Sequence, residues 1–328
     1  MTQTAGLGGL WMVLCTSECD NSRSIGMSHA SESSLPLLSL MADAERAGLT
    51  RHQVRQRVRS GDWVRLARGA YLPDGGERLQ DQDTYVRRRA EHAMLAIAAA
   101  SRNRGTVVTD ASAAVLHGLP VVRVPSNVQL GVAPGEWSGT RNGIDFRVRK
   151  FNDDDVLHSR VPVASAQRCW IDITRYATLA DSLVTGDAGV RSGLISVDQA
   201  SIDMDSWRGQ RGCRRLARAL LWVDGIRESP LESSSFAYFI EYQVPLPRMQ
   251  AEIRGVNGVF IARVDFLWDR VKLVGEADGR LKYEDADALY AEKRREDLIR
   301  AQGFQMVRWG WADLRSPHLA RRLRSLLT

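Results

Sequence analysis

Phe260-Ile-Ala-Arg-Val-Asp-Phe-Leu-Trp268, a turn at Asp269-Arg270, and then Val271-Lys-Leu-Val-Gly-Glu-Ala-Asp278 form the stretch that decides the fold. Aromatic and β-branched residues dominate both runs, which read as two antiparallel strands. Arg263 and Asp265 stand two apart in the first strand, Glu276 and Asp278 two apart in the second. A two-residue loop pairs 268 with 271, and a four-residue loop pairs 267 with 272. Under either, 265 faces 274 and 276 faces 263. Side chains alternate along strands, so residues 263, 265, 274, 276 and 278 share one face. Asp265 and Glu276 then become diagonal neighbours about 7 Å apart at their β-carbons.

Working outward, Ser229-Pro230 opens a helix over 231–243, with Pro230 at its first position and Glu232 in its first turn. Pro245 and Pro247 end it, and a strand pattern follows over 250–254. Beyond the central pair come a highly charged helix (285–301) stopped by Gly303, a strand (304–309) and a last helix (317–327). The expected order of the last hundred residues is αβββαβα.

Two carboxylates at that spacing suit one hard cation. Mg²⁺ takes oxygen ligands at roughly 2.0–2.1 Å and keeps several waters. Lys282 stands six residues after Glu276, past Gly279, where an ammonium could orient water or neutralise charge at a scissile phosphate. The chain has four lysines, and three of them fall between 272 and 293. The segments Arg263–Asp278, Glu292-Lys-Arg-Arg-Glu-Asp297 and Val307-Arg-Trp-Gly-Trp-Ala-Asp-Leu314 together resemble the PD-(D/E)XK nuclease superfamily, in the branch related to the very-short-patch-repair endonuclease. That resemblance implies an αβββαβ core and Mg²⁺-dependent (or Mn²⁺-dependent) hydrolysis of phosphodiesters. It makes Asp265 and Glu276 the metal-binding acids, with Glu232 completing the metal set, and places Lys282 and Asp278 beside the acids in the catalytic group. One position departs from the pattern: two residues after the second acid the superfamily has lysine, and this chain has Asp278. A second reading therefore stays open, a catalytically silent module in an antitoxin-type regulator. There Arg263 would serve as the partner that buried acids normally need.

The front of the chain reads as a winged helix-turn-helix over residues 36–75. Short helices are expected at 37–41 and 43–47. A third, over 51–60, is capped by Thr50, with Val54 and Val58 on its buried side. Gly61-Asp62 turns into a two-stranded ribbon over 63–72, kinked at Gly69. Arg51, Arg55, Arg57, Arg59, Arg65 and Arg68 face a single acid, Asp62, across this stretch, a pattern suited to phosphates and base edges of DNA. Ala47-Gly-Leu-Thr-Arg-His-Gln-Val and Gly61-Asp-Trp-Val-Arg-Leu-Ala-Arg-Gly-Ala-Tyr71 resemble the winged helix of AbiEi-type antitoxins of type IV toxin–antitoxin systems. The resemblance implies DNA as a partner, and a cognate toxin or self-association besides.

Between these ends, residues 76–225 read as a mixed α/β region followed by helices. Two of its segments, Thr109-Asp-Ala-Ser-Ala-Ala-Val-Leu-His-Gly-Leu119 and Arg168-Cys-Trp-Ile-Asp172, resemble the region that often follows such a winged helix. No chemistry attaches to either. His117 reads as a turn or core histidine, and Asp153–Asp155 as an acidic turn without the glycine and distal glutamate of a calcium loop.

Composition sets the outer limits. The 328 residues are 44% hydrophobic and 26% charged, an ordinary globular mixture, and the fold class is α/β (an α+β multidomain chain). Residues 1–35 read as a disordered leader, 36–75 as the winged helix, 76–225 as the middle region and 226–328 as the nuclease-like domain. The net charge of +6 rests on 41 arginines and four lysines. Such a ratio reflects codon usage, so only local patterns speak for nucleic acid. Cys15, Cys19, Cys169 and Cys213 are too scattered for a disulfide framework or a zinc site, which fits a cytoplasmic protein. No apolar run reaches the ~18 residues needed to span a membrane. The P-loop, the HExxH metal motif and the nucleophile elbow are all missing from the sequence.

Overall fold

The structure is a computed structural model that describes residues 39–73, 83–255, 258–278 and 286–328. Lys282, the leader and the first two residues of the helix expected over 37–41 lie outside these residues. The chain divides into two compact units: Met1–Leu119 with Arg123–Asp172, and Pro120–Val122 with Ile173–Thr328. Both mix helices with sheets, in keeping with the expected α/β class.

The first unit opens with strand β1 (Ser39–Leu40), helix α1 (Met41–Arg46), helix α2 (Arg51–Ser60) and the ribbon β2 (Val64–Ala67) and β3 (Ala70–Leu72). The expected helix over 37–41 is corrected at its described end, where residues 39 and 40 extend and pair with Tyr71 and Ala70. The sheet order is β1-β3-β2. Thr50 caps α2 reciprocally: its hydroxyl accepts from Gln53 N, and Gln53 Oε1 accepts from Thr50 N. Gly61 ends the helix at φ +89°, a left-handed conformation that costs glycine little. Ala44, Val54, Trp63 and Tyr71 form a small core closed by Met41, Leu49 and Val58.

The same unit continues with the long helix α3 (Thr84–Arg102), whose alanine-rich face is buried, and with β4 (Val107–Val108) and α4 (Asp110–Leu116). Strands β5 (Val128–Val132), β6 (Gly139–Arg141), β7 (Ile144–Val148), β8 (Val156–His158) and β9 (Pro162–Ala164) join β4 in a mixed six-stranded sheet ordered β6-β7-β5-β4-β9-β8. The two middle motifs meet here in a buried polar network. Asp110 accepts from Arg149 at 3.0 Å, Arg168 Nε donates to Asp172 at 2.9 Å, and Arg168 Nη1 donates to Asp155 at 2.8 Å. His117 Nε2 lies 2.7 Å from Ala164 O, and burial lowers its pKa. These residues hold turns against the sheet, which accounts for motifs to which the sequence attaches no chemistry.

Helix α5 (Ala166–Tyr176) crosses the boundary between units at Asp172. In the second unit follow α6 (Leu179–Arg191), α7 (Val197–Ile202), α8 (Met204–Trp207) and α9 (Cys213–Leu220). Then come α10 (Pro230–Glu241), β10 (Arg248–Arg254), β11 (Phe260–Trp268), β12 (Leu273–Ala277), α11 (Ala286–Ala301), β13 (Gln305–Trp309) and α12 (His318–Leu327). This is the αβββαβα order expected from the sequence.

The four strands lie in the order β10-β11-β12-β13, with β13 parallel to β12 and the rest antiparallel. One sheet face packs Phe266, Trp268, Leu273, Val307 and Trp309 against Tyr238 and Phe239 of α10 and Leu319, Ala320 and Leu323 of α12. The other packs Ala251, Ile253, Ala262, Val264, Leu267 and Val274 against Ile299 of α11. Only glycine fits at 275, because a β-carbon there would lie 2.5 Å from the Trp309 ring.

Candidate functional site

In the winged helix, α2 turns Val54 and Val58 inward and leaves His52, Arg55, Gln56 and Arg59 exposed on its other side. Arg65 on the wing and Arg68 in its turn are exposed as well. Arg55, Arg59, Arg65 and Arg68 make no ion pair among the described residues, so four guanidinium groups are offered to solvent. The other two predicted arginines are partly engaged. Arg51 Nε donates to Glu45 Oε1 at 2.9 Å, and the Arg57 guanidinium is half-buried 5.9 Å above the Trp63 ring. The structure thus sorts the six arginines into four unpaired ones and two that brace the helix. His52 and Gln56 are additions that the structure makes to the predicted set; their spacing from Val54 and Val58 was the signal.

In the second unit the register differs from expectation. A 3₁₀ turn over Asp269–Val271 and a left-handed Lys272 (φ +50°) join the strands. The pairs are Phe266 with Gly275, Leu267 with Val274 and Trp268 with Leu273. Each pairing is displaced by two residues from the expected one, because Trp268 stays in the strand and the loop runs from 269 to 272. The ladder stops at Phe266, and the Asp265 carboxylate takes its next bond, accepting from Ala277 N at 2.9 Å. That bond puts the Asp265 carboxylate at the peptide that joins Glu276 to Ala277.

The shared face is also corrected. Val264 belongs to the α11 side of the sheet, whereas Phe266 belongs to the opposite side, so alternation breaks at Asp265. Met249 and Ala251 on β10 split in the same way around Gln250, whose φ is +48°. An odd residue before the break and one after it point to opposite faces. Arg263 accordingly pairs with Glu228 at 2.8 Å, not with the acids it was expected to neutralise, and Val274 is buried in the α11-side core.

Glu276 points to α11, where Arg295 Nη2 donates to its Oε2 at 2.9 Å. Its other oxygen, Oε1, is buried with no hydrogen-bond partner among the described residues. Glu232 is buried in the first turn of α10, and its Oε2 accepts from Gln250 Nε2 at 2.7 Å and from Glu228 N at 2.9 Å. Asp278 is half-buried just past β12, its backbone N–H donating to Trp309 O. Burial, then the charges of Glu232 and Glu276, push the Asp265 carboxyl up to about 7, against the pull of the Ala277 N–H and Arg295. Burial likewise raises Glu276, opposed by Arg295.

Arg295 is the residue that the sequence does not single out. By spacing alone its run gives pairs along a helix surface, with Glu292 and Glu296 repelling. In the structure both glutamates are compensated by Arg308 of β13, at 2.5 and 3.1 Å, and Glu296 also by Arg300 at 2.7 Å. The signal was available: Ile299 is the core residue of this helix, and 295 and 292 lie four and seven positions before it.

The donor set suits one hard cation held by two carboxylates and water, and the orphan Oε1 is an oxygen left without a bond. No group of three histidines, cysteines or acids converges to hold a metal among the described residues. The described residues also contain no helix long and apolar enough to cross a membrane.

Residues 41–73 match the family model described as "Transcriptional regulator, AbiEi antitoxin", which bears out the resemblance read from the front of the chain. Two proteins of Mycobacterium tuberculosis, "Uncharacterized protein MT2308" of strain CDC 1551 / Oshkosh and "Uncharacterized protein Rv2248" of strain ATCC 25618 / H37Rv, are similar to this chain. Each is 26% identical over 263 residues, which is 79% of this chain and 89% of theirs. The crystal structure of the RV2827C protein from the same organism aligns with 67% of this chain and 84% of its own, at 15% identity and a TM-score of 0.35.

Proposed function

We propose that this protein is a cytoplasmic DNA-binding regulator of antitoxin type, with the winged helix as its DNA-reading element. The observation that carries the reading is the set of unpaired arginines on α2 and the wing, in a segment that matches a transcriptional-regulator family. A helix offered this way enters a major groove, its arginines meet phosphates, and the polar side chains between them meet base edges. A cognate toxin or a second copy of the chain is the protein partner of this reading.

In the full-length protein, Arg55→Ala with Arg59→Ala weakens binding to every DNA sequence tested. It also lowers the slope of log affinity against log salt by about 0.9 for each phosphate that is no longer neutralised, or about 1.8 for the pair. Fluorescence anisotropy over a salt series measures this. An unchanged slope and affinity would remove the winged helix as the DNA-binding surface.

A second reading is favoured by the orphan oxygen of Glu276 beside Asp265. It adds metal-dependent phosphodiester hydrolysis to the second unit, with Asp265 and Glu276 holding Mg²⁺ or Mn²⁺ and Glu232 and Asp278 next to them. Bound there, such an ion supplies Lewis-acid polarisation of a phosphate oxygen and acidifies a water. The chain's own residues do the positioning: Ala277 N–H fixes one oxygen of Asp265, Arg295 fixes one oxygen of Glu276, and Gln250 fixes Glu232. Lys282, assigned by resemblance to charge stabilisation, lies outside the described residues. Under this reading wild-type protein nicks supercoiled DNA with Mg²⁺ or Mn²⁺, and Asp265→Ala does not. Equal nicking by both, or none by wild type, would leave the silent module as the correct description.

A further inference from the structure

Arg295 holds two acids at once. Its Nη2 donates to Glu276 Oε2 at 2.9 Å, while its Nε and Nη2 reach Glu292 Oε2 and Oε1 at 2.8 and 3.1 Å. Glu292 in turn accepts from Arg308, whose second nitrogen lies 3.1 Å from Glu296. Glu276 is thus the end of a chain of alternating charges that runs along α11, and most of the bonds in that chain lie away from the Asp265 pair.

We propose that Arg295 is an exchangeable counter-ion. It neutralises Glu276 when no divalent cation is bound, and passes wholly to Glu292 when Asp265 and Glu276 take one up. The proposal rests on the cation-site reading given above and concerns how that site is gated. A guanidinium and a divalent cation compete for the same carboxylate. A partly buried arginine can leave one acid at low cost only if another already compensates it. Glu292 meets that condition with two hydrogen bonds in place, so the transfer breaks one hydrogen bond and leaves no charge unpaired. The orphan Oε1 of Glu276 stays available throughout. Arg295 and Glu292 should therefore set cation affinity in opposite directions, and Glu292 should act only through Arg295.

Calorimetric titration of Mn²⁺ into the full chain tests this, with the Mn²⁺-induced rise in melting temperature as a second readout. Relative to wild type, Arg295→Gln binds roughly ten-fold tighter and Glu292→Gln roughly ten-fold weaker. In the Arg295→Gln background, Glu292→Gln changes affinity by less than about two-fold, the non-additivity expected of residues acting through one another. A through-space charge effect alone would keep the full Glu292 effect in both backgrounds, and that result overturns the exchange. So does Arg295→Gln affinity equal to or below wild type, provided binding is lost in Asp265→Asn. If no variant binds Mn²⁺ in an Asp265-dependent way, the cation site itself is refuted and the gate with it. Glu292→Gln affinity equal to or above wild type also overturns the exchange, and because Glu292 is partly exposed that arm stands even if Arg295→Gln is unstable.

Discussion

Arg227→Ala is expected to lower the stability of the second unit by about 3–5 kcal/mol, enough to unfold a domain of ordinary stability at moderate temperature. Arg227 is fully buried, and its guanidinium meets the equally buried Asp187 twice, at 2.6 and 2.9 Å. It also donates to Trp222 O, reaches Asp224 at 3.1 Å and lies 4.3 Å from the Phe236 ring. Ser233 donates to the same carboxylate at 2.7 Å. The cluster fastens α6 to the start of α10, one residue from Glu232. Alanine leaves Asp187 buried without its counter-charge, and that stranded carboxylate, more than the missing hydrogen bonds, sets the cost. The companion Arg227→Met with Asp187→Leu removes both charges and is expected to lie close to wild type. Urea unfolding measures both. A single variant within about 1 kcal/mol of wild type, or a double variant as damaged as the single, would show that the pair is not what joins these helices.

The elements of the second unit were legible because each has local punctuation. Pro230 opens α10, Pro245 and Pro247 close it, Gly303 stops α11, and β11 is bounded in the structure where its apolar run begins and ends. What the sequence concealed was non-local. The loop length between β11 and β12 depended on Lys272 adopting a left-handed conformation, which no residue preference announces. The break at Asp265 depended on a matching break at Gln250 in another strand. Arg263 was the nearest basic residue in sequence, yet Arg295, thirty positions from Asp265 and on a different element, supplies the charge. In the winged helix the reverse holds. There the capping box, the Val54–Val58 spacing and the glycine turn are all local, so the exposed stripe could be read directly. Its strand β1 could not, since two residues gain extended structure only by pairing with β3.

Asp265→Asn is expected to be more stable than wild type above pH 7 and to flatten the pH profile below it. The carboxyl is pushed from the usual carboxylate range up to about 7 by burial and by Glu232 and Glu276. An acid whose pKa is higher in the folded state binds its proton more tightly there than in the unfolded chain. Between about pH 4 and 7 the folded protein keeps this proton while the unfolded one has released it, so stability falls as pH rises through that window. A shift from 3.8 to about 7 corresponds to roughly 4 kcal/mol across the whole range. Glu276, raised for the same reason, adds to the slope in the same direction. Asparagine keeps the shape and still accepts the Ala277 N–H, but it never ionises. The wild-type slope from this group is then absent, and the difference between variant and wild type should grow from pH 4.5 to about 7 and level off above that. Groups whose pKa is lowered, such as Asp145 and Glu296, act with opposite sign near and below pH 4 and are common to both proteins. Subtracting the two unfolding profiles isolates Asp265. Parallel profiles would mean that its carboxyl already ionises in the folded state as it does in the unfolded chain, and that the three acids are not crowded as their positions imply.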